Sequence, residues 1–148
     1  MVSISKTPLR ISFIGGGTDF PNFFKKYNGG VISATINKYV YVNINNKFDN
    51  KIKLSYSKNE IVDKVNDIKH PLIKYILKSY KINNNIELIS LADIPSSGTG
   101  LGSSSAFTLS TISSLNYHIN NNLLSKNELA KLACDIEISK NKSPIGIQ

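Results

Sequence analysis

The stretch that decides the fold is DIPSSGTGLGSSSAF, Asp93 to Phe107. Its three glycines and run of serines directly follow the strand-like, β-branched IELISL of residues 86–91. A helical period opens after it, with Ala106, Leu109, Ile112, Leu115 and Ile119 on one face. The order is therefore strand, glycine loop, helix start. Glycine lets backbone approach a ligand closely, and a helix N-terminus offers unpaired N–H groups and partial positive charge. Together they form the usual geometry of a phosphate cradle. The same residues also fit a plain serine-capped helix after a flexible loop.

Two common phosphate loops are excluded. A Walker loop ends in Gly-Lys-Ser/Thr, and no lysine follows Gly102. A dinucleotide fingerprint needs GxGxxG, but the third glycine of Gly98-Thr99-Gly100-Leu101-Gly102 comes one place early. The upstream GGGTDF, residues 15–20, fails that pattern as well.

Working outward, LRISFI (9–14), VISATI (31–36), YVYVNI (39–44) and KIKLSY (51–56) read as strands. The middle ones suggest an antiparallel hairpin or meander. Residues 61–80 read as helical, with Val65, Ile68, Leu72, Ile76 and Tyr80 at helical spacing and Pro71 opening or kinking the helix. The serine helix breaks at residues 120–122. Ser125 and Glu128 then form a capping box for a last helix bearing Leu129, Leu132, Ala133 and Ile136. The fold class is α+β, in one domain spanning residues 1–148. No stable element closes the chain at SPIGIQ, and it ends as though cut.

With 148 residues and 41% hydrophobic content, one core is feasible. The lone Cys134 excludes an internal disulfide and a CxxC metal site, and is expected to pack as a small buried side chain. No secretory h-region or membrane-length apolar run occurs, so a cytoplasmic protein without a membrane partner is expected. The net charge of +8 comes from dispersed lysines, and Arg10 is the only arginine. That dispersal argues for a solvated surface and against a nucleic-acid stripe. His70 and His118 read as surface or capping residues.

Pro95 to Ala106 resembles the PxxxGLGSS motif of the galactokinase, homoserine kinase, mevalonate kinase and phosphomevalonate kinase (GHMP) family. Thr7-Pro8-Leu9-Arg10-Ile11-Ser12-Phe13 with Gly15-Gly16-Gly17-Thr18-Asp19-Phe20-Pro21 is similar to one branch, the bacterial D-glycero-D-manno-heptose 7-phosphate kinases. So is Ile136-Glu137 with Pro144-Ile145-Gly146-Ile147-Gln148. The resemblance implies a ribosomal S5 domain 2-like fold, mostly antiparallel with helices on one face, forming the N-terminal half of an ATP- and Mg²⁺-dependent sugar kinase.

The resemblance also implies roles. Pro95, Gly98, Thr99, Gly100, Leu101, Gly102, Ser103, Ser104 and Ser105 would bind ATP. Ser104 and Glu137 would hold Mg²⁺, a hard cation that takes one or two protein oxygens and leaves the rest to phosphate and water. Arg10, Gly15, Gly16, Gly17, Thr18 and Asp19 would bind the sugar phosphate. The base is expected immediately after Gln148, so no catalytic residue is expected in the chain, which would be inactive alone. A fucokinase- or galactokinase-like enzyme stays open, as does a non-catalytic, basic RNA-binding module of the S5-like fold. A truncated or decayed reading frame without activity stays open as well.

Overall fold

The computed structural model describes residues 1–95, 99–140 and Gly146. Its elements are β1 (Val2–Ile14), α1 (Pro21–Phe24), β2 (Ile32–Asn46), β3 (Ile52–Ser55), β4 (Asn59–Val62), α2 (Pro71–Ser79), β5 (Ile86–Ala92), α3 (Ser103–Asn120) and α4 (Lys126–Cys134). A 3₁₀ turn covers Val65–Asp67, and a π-helix, Asp135–Lys140, continues directly from α4.

The five strands form one sheet in the order β1-β2-β5-β3-β4. β1–β2, β2–β5 and β3–β4 pair antiparallel, while β3 and β5 run parallel. The expected hairpin or meander through residues 31–56 is therefore corrected. β5 lies between β2 and β3, and VISATI and YVYVNI belong to one long strand. The parallel pair needs a crossover, supplied by β4 and α2.

The helix expected over residues 61–80 is also corrected. Helix begins only at Pro71, whose fixed φ and missing N–H suit a first turn. Upstream, Ile61 and Val62 pair with Lys53 and Ile52 in the sheet. The apparent helical spacing of Val65 and Ile68 arises because a 3₁₀ turn points both into the core.

One face of the sheet carries the core. Leu9, Val42, Ile44, Leu54 and Leu88 are fully buried there against Ile73, Ile76 and Leu77 of α2 and Ile112 and Leu115 of α3. Each such side chain contributes roughly 1.5–3 kcal/mol. The opposite face stays open to solvent and carries Ile4, Leu91 and the Lys53–Glu87 ion pair. Among the described residues, no helix is long and apolar enough to cross a membrane.

α3 is buried on most sides and does not present a simple apolar stripe. Thr108, Ser110, Thr111 and Ser114 are buried with its hydrophobic residues. Their small hydroxyl side chains let the helix sit close to β1 and β2. The Ser110 hydroxyl lies 2.6 Å from Thr7 Oγ1 and 3.3 Å from the Val40 carbonyl. Ser114 donates to the Ser3 carbonyl at 3.0 Å. Buried hydroxyls must be paired, so these bonds fix the height and register of α3 over the sheet.

The α4 cap is as the sequence indicates. Ser125 accepts from the Glu128 amide at 3.3 Å, and Glu128 Oε2 accepts from the Ser125 amide at 3.0 Å. His118 lies inside the last turn of α3 and does not cap it. It bridges Ser3 and Asn46 at 3.1 and 2.7 Å, tying the helix to β1 and β2.

Candidate functional site

Among the described residues, no side chain caps the N-terminus of α3. Gly102 stands at the N-cap position with φ 74°, a left-handed conformation open to glycine at no steric cost. Ser103, Ser104 and Ser105 fill the first turn, where amide groups find no acceptor inside the helix. The Arg10 amide donates to the Leu101 carbonyl at 3.2 Å. A β-carbon on Gly102 would fall 3.3 Å from Arg10 Cζ. The guanidinium therefore lies beside the glycine loop, and no carboxylate forms an ion pair with it among the described residues.

Glu137 approaches the same helix end from the π-helix. It is only 4% exposed. Its carboxylate accepts from Ser105 Oγ at 3.1 Å and from Thr108 Oγ1, whose oxygen also lies 3.1 Å from the Ser104 carbonyl. No cation pairs with it among the described residues. The wider helical turn of Asp135–Lys140 shifts the side-chain register that α4 would otherwise continue. π-turns of this kind recur at functional sites. Burial, followed by the Glu137 charge, raises the half-buried Cys134 thiol above its ordinary range.

Expected metal ligands are thus partly adjacent. Glu137 points at the first two turns of α3, where Ser105 and Thr108 contact it. Ser104 is exposed on the first of these turns and lines the neighbouring cleft. This donor set, a carboxylate with hydroxyls and room for phosphate oxygens, suits a hard divalent cation. No cluster of three acidic, His or Cys side chains accompanies it among the described residues, so a soft-metal centre is not built there.

A cleft of about 400 Å³ adjoins the exposed serines, lined by Val40, Tyr56, His70, Leu72, Ala92, Ile94 and Phe107 with Ser103 and Ser104. The sequence marks His70 as a surface or capping residue, and the capping role is the one it takes. Here it caps α2, accepting from the Ile73 amide, and also forms cleft wall. The Pro71 after it was the available signal, because it places His70 at a helix N-cap.

Thr18 and Asp19 line a second hollow with Phe24, Gly29, Gly30, Val31 and Ser33. Gly15 has φ 89°, and a β-carbon there would fall 1.9 Å from the Gly30 carbonyl oxygen. The close passage needs glycine at position 15, and at position 29, where a β-carbon would fall 2.3 Å from the Thr18 carbonyl oxygen. Thr18 Oγ1 lies 2.7 Å from the Gly15 carbonyl, and Gly30 N donates back to it at 3.1 Å. Asp19 accepts from the Gly17 amide at 2.9 Å. Gly146 presses on this group, since a β-carbon on it would fall 1.8 Å from Asp19 Oδ2. The structure thus separates the expected substrate residues. Gly15 to Asp19 gather around this hollow, whereas Arg10 joins the glycine loop. Gly98 lies outside the described residues. Pro95 is exposed, and Thr99 Oγ1 accepts from the Leu101 amide at 3.5 Å.

Residues 66–148 match the family model of the GHMP kinases N terminal domain. The chain belongs to this family. It is 33% identical over 145 residues to D-glycero-alpha-D-manno-heptose 7-phosphate kinase of Campylobacter jejuni, covering 90% of this chain and 42% of that protein. A crystal structure of a D-glycero-D-manno-heptose 1-phosphate kinase from Bacteroides thetaiotaomicron superposes with TM-score 0.87 and 25% identity, over 100% of this chain and 51% of the other. Lactococcus lactis galactokinase complexed with galactose follows at TM-score 0.71 and 26% identity, over 99% of this chain and 40% of that one. The chain therefore spans about half the length of the relatives it matches, and its fold is the S5-like one of GHMP kinase N-terminal domains.

Proposed function

We propose that this chain is the ATP- and Mg²⁺-binding half of a cytoplasmic sugar kinase, with D-glycero-D-manno-heptose 7-phosphate as acceptor. The product would be the 1,7-bisphosphate, on the route to nucleotide-activated heptose for surface polysaccharide. The observation that carries this reading is the convergence at the N-terminus of α3. A helix end on a glycine loop, the Arg10 guanidinium and a buried carboxylate, with no side-chain cap or ion pair among the described residues, meet at the first two turns of α3.

The chemistry follows from that arrangement. Phosphoryl transfer needs positioning and charge neutralisation more than covalent help. The amides of Ser103 to Ser105 and the Arg10 guanidinium offer positive potential to the phosphates. Bound Mg²⁺ would neutralise developing charge, with Glu137 as the protein ligand and the first-turn hydroxyls beside it. The adjoining cleft takes the nucleoside. Asp19, with its acceptor-only oxygens, faces the hollow that takes the sugar.

Calorimetric titration of the purified chain with ATP, with and without Mg²⁺, and with D-glycero-D-manno-heptose 7-phosphate tests this. Mg²⁺-strengthened ATP binding and heptose 7-phosphate binding in preference to galactose and fucose are expected. Preference for galactose or fucose would move the acceptor within the family. No nucleotide binding, with RNA affinity that falls steeply with salt, would replace the kinase reading by the RNA-binding one.

A further inference from the structure

We propose that His70 reads the nucleobase, donating from Nε2–H to an acceptor atom on the base edge. This rests on the nucleotide reading above and names a specificity residue within it. The ring is held on several sides. Its Nδ1 accepts from the Ile73 amide at 3.4 Å, which leaves the proton on Nε2. Tyr56 meets it edge-on, with centroids 4.9 Å apart and planes at 89°, and Phe107 stands 5.7 Å away at 45°.

Tyr56 is itself fixed. Its hydroxyl donates to Glu60 Oε1 at 2.5 Å, and the Lys69 amide donates to Glu60 Oε2 at 2.7 Å. Glu60 is buried, and its carboxylate also draws on the His70 amide. One carboxylate on β4 therefore anchors both the tyrosine and the chain entering α2. The Tyr56 hydroxyl is committed to that carboxylate and is not offered to a ligand.

His70 Nε2 has no partner among the described residues. No buried side-chain nitrogen or oxygen lacks a hydrogen-bond partner there either. Nε2 is therefore open to solvent, in a half-buried residue that lines the cleft beside Ser103 and Ser104. An oriented, uncharged donor between apolar walls (Val40, Leu72, Ala92, Ile94) and next to a phosphate-binding helix end matches a flat heterocycle with ring-nitrogen or carbonyl acceptors.

The test compares ATP with inorganic tripolyphosphate, which carries phosphates without a base. Both are titrated with Mg²⁺ into the 148-residue chain and into His70→Asn and His70→Phe. Asn keeps an acceptor at the N-cap; Phe keeps a ring without a donor. Both variants should weaken ATP about three- to tenfold, the scale of one neutral hydrogen bond, and leave tripolyphosphate affinity unchanged. Thermal melting shows which variants fold, and the folded ones decide. ATP affinity unchanged in a folded variant overturns the proposal. So does equal weakening of ATP and tripolyphosphate, which would make His70 a support for the loop. Wild-type protein binding tripolyphosphate as tightly as ATP would refute base reading and leave the phosphate site standing. Wild-type protein binding neither would remove the nucleotide reading and this proposal together.

Discussion

Replacing Glu137 by Gln should separate stability from cation binding. The change keeps the shape of the side chain and removes its charge. The two hydrogen bonds to the carboxylate, from Ser105 and Thr108, become neutral ones, one reversed: the new amide nitrogen donates to Thr108 Oγ1, whose proton turns to the Ser104 carbonyl. Bonds to a charged group contribute about 1.5–3 kcal/mol and neutral ones about 0.5–1.5, so the exchange costs about 2–3 kcal/mol. Against that stands desolvation. A carboxylate that is 4% exposed without a cation carries a penalty of several kcal/mol, which Gln escapes. The two nearly cancel, and metal-free stability should stay within about 1 kcal/mol of wild type, a melting shift of about 2–4 °C at most. Cation binding has no such compensation. The Mg²⁺-dependent gain in ATP affinity, measured by titration at fixed ionic strength, should fall at least about tenfold. A variant that melts far lower yet keeps the full Mg²⁺ effect would refute the reasoning and make Glu137 a structural strut.

Two further outcomes test other parts of the structure. Gly15→Ala should destabilise the chain by about 3 kcal/mol or more in urea unfolding, since it meets both positive φ and the Gly30 carbonyl at 1.9 Å; stability within 1 kcal/mol of wild type would disprove the close passage. Burial holds His70 below its ordinary value, partly opposed by the Glu60 charge, while Tyr56 adds only its ring and Lys69 its amide at that site. The folded state thus binds fewer protons than the unfolded, and stability is lost as pH falls through about 6.5. His70→Asn should remove that part of a melting-temperature profile.

What was legible in the sequence was local. The IELISL strand, the Pro71 helix start, the Ser125–Glu128 capping box and the glycine loop all rest on neighbouring residues. What was not legible depends on distant pairing. Nothing in KIKLSY shows that β5 will lie between it and β2, because that choice is made by burial of Leu54 and Leu88 on a shared face. Val65 and Ile68 look helical by spacing, yet a 3₁₀ turn buries the same two apolar positions. For the site, motif residues placed Glu137 near Ser103 to Ser105. The π-helix that aims it, and the contacts from Ser105 and Thr108, needed coordinates. His70 had no motif, and its place in the cleft follows from the T-shaped contact with Tyr56.

α3 also explains why the site cannot be separated from the core. Its first turn presents Ser103 and Ser104 to the cleft, while its middle is held to β1 and β2 by Ser110 and Ser114. β1 carries Arg10 to the glycine loop and ends beside Gly15, at the hollow lined by Thr18 and Asp19. The sheet pairing therefore sets the spacing between the glycine loop and the hollow at Thr18 and Asp19. A hydroxyl lost at Ser110 would leave Thr7 and the Val40 carbonyl with one partner fewer, and the helix would be free to shift over the strand. Phosphoryl transfer is intolerant of such misplacement. The polar residues inside this core are thus explained by register: apolar side chains would bury more area, but would not fix where the first turn of α3 stands relative to Arg10 and Asp19.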